Sequence, residues 1–184
     1  MLGGPGLSPM LPADIYRRLS ADLVANGRTV VVDLSGEPLA AAAAGGASVM
    51  RMSHEELLAE GRAADDTVPA LAAAMRSLSP EGASAVVCCQ AERPALAWFG
   101  GRLVEVHAPV FAASDNAGAG DSFTAGLAAA LANGCSLDDA LRLGAAAGGL
   151  NVTRRGLGAG ARQEIERLAA HVELVELDPG RLLA

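Results

Sequence analysis

A run of small residues ahead of an aspartate is the part of this sequence that most directly suggests chemistry. Gly118, Ala119 and Gly120 precede Asp121, and apolar side chains then recur at the four-residue spacing of a helix face. Such a turn exposes the first N–H groups of a helix at the positive end of its dipole, which makes an anion site. Asp121 is then suited to accept a hydroxyl proton beside a phosphoryl group held by those N–H groups. By itself the pattern also fits an acid that only stabilises a helix start.

Composition narrows the classes of partner. The 184 residues carry a net charge of −7, which argues against nucleic acid or an anionic membrane surface as a partner. All 14 basic residues are arginine, so a phosphate loop of the G-x-x-x-x-G-K-[ST] type is excluded. Small-molecule partners are therefore expected.

Cysteine usage and the absence of targeting patterns indicate an ordinary intracellular enzyme or domain. Cys88, Cys89 and Cys135 have neither metal-ligand spacing nor an even number for disulfides, and buried thiols are the expected state of the first two. The sequence shows no signal-peptide pattern and no apolar run of about 18 residues free of glycine and charge. We expect a cytoplasmic location.

Strand and helix patterns alternate along the chain, which predicts an α/β fold. A mostly parallel sheet with helices on both faces follows from this alternation, in a single domain over residues 1–184. Gly100-Gly101 separates two of the strands and predicts a hairpin. Strands are expected at 29–34, 48–52, 83–89, 95–99, 103–107 and 172–177, and helices at 13–25, just after Pro38, and at 65–78, 120–132, 137–150 and 163–170.

The segment D-N-A-G-A-G-D-S-F-T-A-G-L, residues 115–127, resembles the second signature of the PfkB/ribokinase family of carbohydrate kinases, D-T-x-G-A-G-D-x-F-x-x-G. Residues 30–37 resemble the V-x-D-x-S-G-E strand end of the same family, and residues 141–147 and 152–156 follow its order. The resemblance implies a ribokinase-like fold. It covers the C-terminal part of such a kinase, so we expect the chain to lack the N-terminal lid region.

The resemblance also implies a reaction. Such kinases transfer the γ-phosphoryl group of ATP, with Mg²⁺, to a primary hydroxyl of a sugar or sugar phosphate; the phosphosugar branch is the closer match. Asp121 takes the place of the base, and Gly118, Ala119 and Gly120 that of the phosphoryl-binding backbone. Ala145 falls where the family borders the adenine.

Two metal positions follow from the same resemblance. The magnesium segment K-P-N-x-x-E appears as Arg51-Met52-Ser53-His54-Glu55-Glu56, so Glu56 is the candidate ligand. Ser53 with the two following acids is also a good helix start, which is the alternative for this segment. Asp115 matches a position that binds a monovalent cation in some members, and it could equally cap the turn as an Asx residue.

One segment departs from the family pattern. The nucleotide loop S-L-G-x-x-G appears as residues 88–93, with Gln90 and Arg93 in place of both glycines, so side chains are expected to crowd the phosphates. A truncated, catalytically inactive binding or regulatory domain is therefore the alternative to a kinase, and an unrelated nucleotide-binding α/β protein is a second. Because the family's N-terminal strands have no counterpart here, an uncovered sheet edge or apolar face is expected, and with it either a homo-oligomer or marginal stability of the isolated chain.

Overall fold

The computed structural model describes residues 1–3, 11–79, 84–109, 111, 117–153, 158, 160–178 and 180. Within them strands and helices alternate as the sequence predicts. The elements are β1 (Leu2–Gly3), α1 (Ala13–Ala25), β2 (Val31–Asp33), α2 (Gly36–Ala44), β3 (Val49–Ser53), α3 (His54–Ala59), α4 (Val68–Leu78), β4 (Ala85–Gln90), β5 (Arg93–Phe99), β6 (Arg102–His107), α5 (Ala119–Ala132), α6 (Leu137–Asn151), α7 (Arg162–Ala169) and β7 (Glu173–Leu177).

The strands form a mixed seven-stranded sheet in the order β1-β2-β3-β4-β5-β6-β7. The pairs β1–β2, β2–β3 and β3–β4 are parallel, and β4–β5 is antiparallel. Helices connect the parallel strands, as parallel pairing requires. Gly100 and Gly101 both have positive φ between β5 and β6, where the sequence predicts a hairpin. The mostly parallel sheet with its helices confirms the predicted α/β fold.

The chain divides into two compact units, residues 1–104 with 176–184, and residues 105–175. In the first unit, continuous apolar runs make strands that are buried on both sides, as parallel strands usually are. Val32, Met50, Met52 and Val86 are fully buried there. Leu39, Leu57, Leu71, Met75 and Leu78 from the helices complete this core.

Helix α1 packs against the end of α2 at a glycine. An added Cβ at Gly45 would lie 2.2 Å from the carbonyl oxygen of Arg17 and 2.8 Å from Cβ of Ser20. Tyr16 and Ser20 are the buried residues of α1. Only glycine therefore allows this approach of the two helices.

Element boundaries differ from the sequence prediction where a side chain caps a helix. Helix α1 spans the predicted residues, but α4 begins at Val68 instead of Asp65. The Asp65 carboxylate accepts hydrogen bonds from the N–H and hydroxyl of Thr67, and Thr67 is the N-cap. Asp65 thus organises the turn before the helix.

None of the helices that the structure describes is long and apolar enough to cross a membrane.

Candidate active site

The small-residue turn places Asp121 in the first turn of α5. Gly118 is the N-cap residue with φ of 74°, a left-handed conformation that glycine adopts without strain. The first helical hydrogen bond runs from the Ser122 N–H to the Gly118 carbonyl oxygen at 2.9 Å. The N–H groups of Ala119, Gly120 and Asp121 therefore come before the helical ladder and are available to an anion. The Asp121 side chain is exposed.

Glycines on α6 hold α5 in place. An added Cβ at Gly144 would lie 2.9 Å from the Phe123 carbonyl oxygen, and one at Gly148 would lie 3.0 Å from that of Ala119. The α6 backbone thus lies directly against the first two turns of α5. Ala145 is on the same helix and only 5% exposed. The position of Asp121 consequently depends on the small residues of α6.

A buried asparagine at the end of α6 ties two loops together, a role that the sequence does not indicate. Asn151 is 2% exposed. Its Nδ2 donates to the Ala117 carbonyl oxygen at 2.7 Å, and its Oδ1 accepts from the Gly158 N–H at 3.1 Å. The turn that leads into α5 is therefore fixed from α6. Asp115, the candidate for a monovalent cation, lies outside the described residues.

Polar side chains in the first unit lie where neighbouring parallel strands end. Asp33 on β2 stands opposite Arg51 on β3, and Arg51 Nη1 donates to Asp33 Oδ1 at 3.0 Å. Arg51 Nε contacts Cys89 Sγ on β4 at 3.5 Å. Burial disfavours the charged guanidinium, but Cys89 and Asp33 outweigh that effect and raise the pKa of Arg51. A fixed positive charge thus stands at the edge of the sheet where open α/β folds bind ligands.

The two neighbouring cysteines remain protonated thiols. Burial raises the pKa of Cys88 to about 12, and burial also raises the pKa of Cys89 against the opposing effect of Arg51. Cys88 is buried and Cys89 half-buried. Neither has the lowered pKa of a reactive thiolate.

Glu56 belongs to a capped helix start. A helix start is the alternative to a magnesium site at residues 51–56. The Ser53 N–H donates to Glu56 Oε2 at 2.7 Å, and the Glu56 N–H donates to Ser53 Oγ at 3.2 Å. This is a reciprocal capping box at the start of α3. One carboxylate oxygen is thereby used. In the described part of the chain, no group of three or more His, Cys, Asp and Glu side chains could hold a metal ion by itself.

The segment with the two missing glycines is a tight turn held by its own side chains. Gln90 pairs with Arg93 across β4 and β5, so Ala91 and Glu92 form the turn. Gln90 Nε2 donates to the Pro94 carbonyl oxygen at 2.6 Å, whereas its buried Oε1 has no partner in the described structure. Arg93 donates to the carbonyl and carboxylate oxygens of Asp66. These side chains fill space that glycines would leave open.

We predict that Ala91→Gly stabilises the protein. Ala91 has φ of 45°, which is unfavourable for any residue with a Cβ. Glycine relieves a strain of about 1–2 kcal/mol, partly offset by its greater freedom in the unfolded chain. Thermal unfolding should show a rise in Tm for Ala91→Gly, and Glu92→Gly, at the other turn position, should show none. A lower Tm for Ala91→Gly would contradict the strain at this turn.

A shallow depression in the surface of the second unit lies near the end of β6. It has a volume of about 490 Å³ and is lined by His107, Ala108, Pro109, Phe111, Leu168, His171 and Glu173. His107 Nε2 lies 2.9 Å from Glu105 Oε2. Asp121 is not among the lining residues. No function is predicted from the sequence for His107 or His171.

Comparison with known proteins decides the family. The pfkB family of carbohydrate kinases matches residues 2–164. The chain belongs to this family. The 1-phosphofructokinase of Bacillus subtilis is 27% identical over 167 residues, which cover 91% of this chain and 54% of that protein. The bifunctional protein HldE of Acidiphilium cryptum is 38% identical over 154 residues, 80% of this chain and 30% of that protein.

Solved structures, among them one of a ribokinase, confirm the ribokinase-like fold. The crystal structure of phosphofructokinase-2 from Escherichia coli in complex with potassium matches with a TM-score of 0.80 and 25% identity. The match covers 92% of this chain and 55% of that one. The chain thus spans about half the length of the 1-phosphofructokinase and the solved kinase that it matches.

Proposed function

We propose that this chain is the phosphoryl-transfer part of an ATP-dependent phosphosugar kinase. The observation that carries the proposal is the start of α5. Gly118 adopts a left-handed conformation there, the N–H groups that follow it have no helical partner, and Asp121 lies in the first turn. An anion site and a carboxylate within one helical turn are what transfer of a phosphoryl group to an alcohol needs. The relatives named as phosphofructokinases support a sugar phosphate as the acceptor.

Asp121 serves as the base in this proposal. Its exposed carboxylate accepts the proton of a primary sugar hydroxyl as the hydroxyl oxygen attacks the γ-phosphorus atom of ATP. The bond from the γ-phosphorus to the oxygen shared with the β-phosphorus breaks, and ADP leaves. The backbone N–H groups of Ala119 and Gly120 donate to the phosphoryl oxygens, whose negative charge the helix dipole also stabilises. Asn151 fixes the turn by holding the Ala117 carbonyl oxygen. Preorganised donors of this kind avoid reorganisation during the reaction.

Taken by itself, the first unit offers candidate residues for Mg²⁺ and for a phosphate group in this proposal. Mg²⁺, when bound, neutralises phosphate charge, and it commonly uses only one or two carboxylates with the phosphates as its remaining ligands. Glu56 fits that limited role through Oε1, which the capping box leaves unused. Arg51 fits as a phosphate donor, because Asp33 orients its guanidinium at 3.0 Å. Ala145 is proposed to border the adenine, and Asp115 to bind a monovalent cation, as potassium is bound in the related kinase structure.

Sugar-phosphate-dependent formation of ADP tests the proposal. The protein is incubated with MgATP and a panel of ketose and aldose phosphates, and ADP is measured with and without each acceptor. Acceptor-dependent ADP formation that is lost when Mg²⁺ is chelated supports the kinase. Absence of both nucleotide binding and turnover would contradict it.

An inactive, nucleotide- or sugar-binding regulatory domain is the second candidate. The turn at residues 90–93 favours it, because Gln90 and Arg93 make fixed hydrogen bonds where glycines are expected. Saturable ATP binding by calorimetry, without acceptor-dependent ADP formation, is the result that selects this candidate over the kinase.

A further inference from the structure

Two features raise the free energy of the turn at residues 90–93 in the conformation that the structure shows. Ala91 is the one residue other than glycine with a positive φ, 45°, among the residues that the structure describes. Gln90 is only 4% exposed, and its Oε1 has no hydrogen-bond partner in the described part of the chain. Backbone strain and a buried acceptor without a donor are both unfavourable. A rearrangement of this turn relieves both.

An ion pair at the surface holds the turn in this conformation. Arg93 Nη1 donates to the Asp66 carbonyl oxygen at 2.9 Å, and Arg93 Nη2 donates to Asp66 Oδ2 at 3.1 Å. The two side chains are 43% and 58% exposed. Pairs as exposed as this one stabilise a protein little, because water screens them. A phosphate group competes well for Arg93, since guanidinium–phosphate hydrogen bonds are charge-assisted and often bidentate.

Arg93 lies at the same edge of the sheet as Arg51. The turn begins where β4 ends, and β4 runs parallel to β3, which carries Arg51. Burial raises the pKa of the Cys88 thiol to about 12, and Arg51 and Arg93 both act in the opposite direction. Both guanidinium groups therefore lie near the end of β4. Two positive charges in one place favour a ligand that carries several negative charges.

We propose that Arg93 binds the phosphate tail of the nucleotide, and that it leaves Asp66 as the turn at residues 90–93 opens. This inference rests on the proposed function, which places a phosphate group beside Arg51. A side chain thus makes the phosphate contact at a position where the sequence comparison leads one to expect glycine. Asp66 competes with the phosphates for the same guanidinium. Arg93 consequently selects nucleotides by their phosphate groups.

Calorimetric titrations with ADP and with adenosine test the contact. Arg93→Gln should weaken ADP binding about tenfold or more, the usual effect of losing hydrogen bonds to a charged group. Adenosine carries no phosphate, so its affinity should not change. Damage to the turn as a whole would weaken both ligands. Asp66→Asn removes the competing carboxylate and should tighten ADP binding by about two- to fivefold.

A second exposed ion pair in the same unit provides the matched control. Arg102 Nε lies 3.1 Å from Glu176 Oε2, and the two side chains are 42% and 57% exposed. Arg102→Gln and Glu176→Gln change the net charge as Arg93→Gln and Asp66→Asn do. Neither control should alter the affinity for ADP.

Ala91→Gly tests the opening of the turn. Glycine adopts the positive φ without strain and so favours the turn conformation in which Arg93 contacts Asp66. ADP should therefore bind about two- to fivefold more weakly to this variant, with adenosine binding unchanged. The loss of affinity is expected in the same variant whose Tm rises.

The outcomes separate this inference from the proposed function. Unchanged ADP affinity in Arg93→Gln, or an equal loss of ADP and adenosine affinity, would overturn the contact while the kinase proposal stands. Unchanged or tighter ADP binding by Ala91→Gly would overturn the opening of the turn. Selective loss of ADP binding in Arg93→Gln supports the contact even if no acceptor-dependent ADP formation is found. A wild-type chain that binds neither ATP nor ADP would overturn both proposals.

Discussion

We expect Asp121→Asn to lower acceptor-dependent ADP formation by about 10²–10⁴, the usual effect of losing a general base. Asparagine keeps the size and shape of the side chain and cannot accept the proton. ATP binding should persist, because the N–H groups at the start of α5 are unchanged. We expect it to tighten, since one negative charge leaves the anion site.

Asp138→Asn is the matched control for this substitution. Asp138 is also an acid in the first turn of a helix, on α6 of the same unit, so its loss has a similar effect on a helix dipole. Turnover of Asp138→Asn should stay near that of the wild type. Equal turnover of Asp121→Asn and the wild type would remove Asp121 from the role of base.

A second large effect is expected at the contact between α5 and α6. Gly144→Ala puts a methyl group 2.9 Å from the Phe123 carbonyl oxygen, so the helices must separate. We expect the free energy of unfolding to fall by about 1–3 kcal/mol, although alanine is the better helix former. Activity should fall as well, because Gly144 helps to position the helix that carries Asp121.

Gly149, which lies on the same helix as Gly144, provides the control. An added Cβ there meets atoms no nearer than 3.9 Å, which is ordinary contact. Gly149→Ala should therefore stabilise the protein by up to about 1 kcal/mol, from helix propensity alone. Chemical denaturation of both variants measures the difference. Equal effects at the two positions would show that the helices do not rely on the close approach at Gly144.

The sequence predicted most of the fold because its turns and helix ends are marked by local residues. Asn26 and Gly27 follow the end of α1 at Ala25, and the Ser136 side chain caps α6 through the Asp139 N–H. Both helices span close to the ranges that the sequence predicts. The predicted start of a helix was wrong where a side chain outside the helix determines its first residue. Asp65 does this before α4. The two-residue β1 carries too few residues for a pattern.

Only the residues of the candidate site that are contiguous in the chain were predictable from the sequence. The turn into α5 and its acid are contiguous, so residues 118–121 could be singled out from the sequence. The function of Asn151 depends on Ala117 and Gly158, which only the folded chain brings to its side-chain amide. The Asp33–Arg51 pair similarly needs the register between β2 and β3. Contacts set by tertiary structure leave no local signal.

The central claim is that the backbone at the start of α5 binds the transferring phosphoryl group. Amide NMR spectra of the labelled protein, recorded during a titration with MgATP, test it directly. The resonances of Ala119, Gly120 and Asp121, whose N–H groups precede the helical ladder, should shift saturably, with the same midpoint as ATP binding measured by calorimetry. Saturable shifts confined to other amides, with these three unmoved, would contradict the claim.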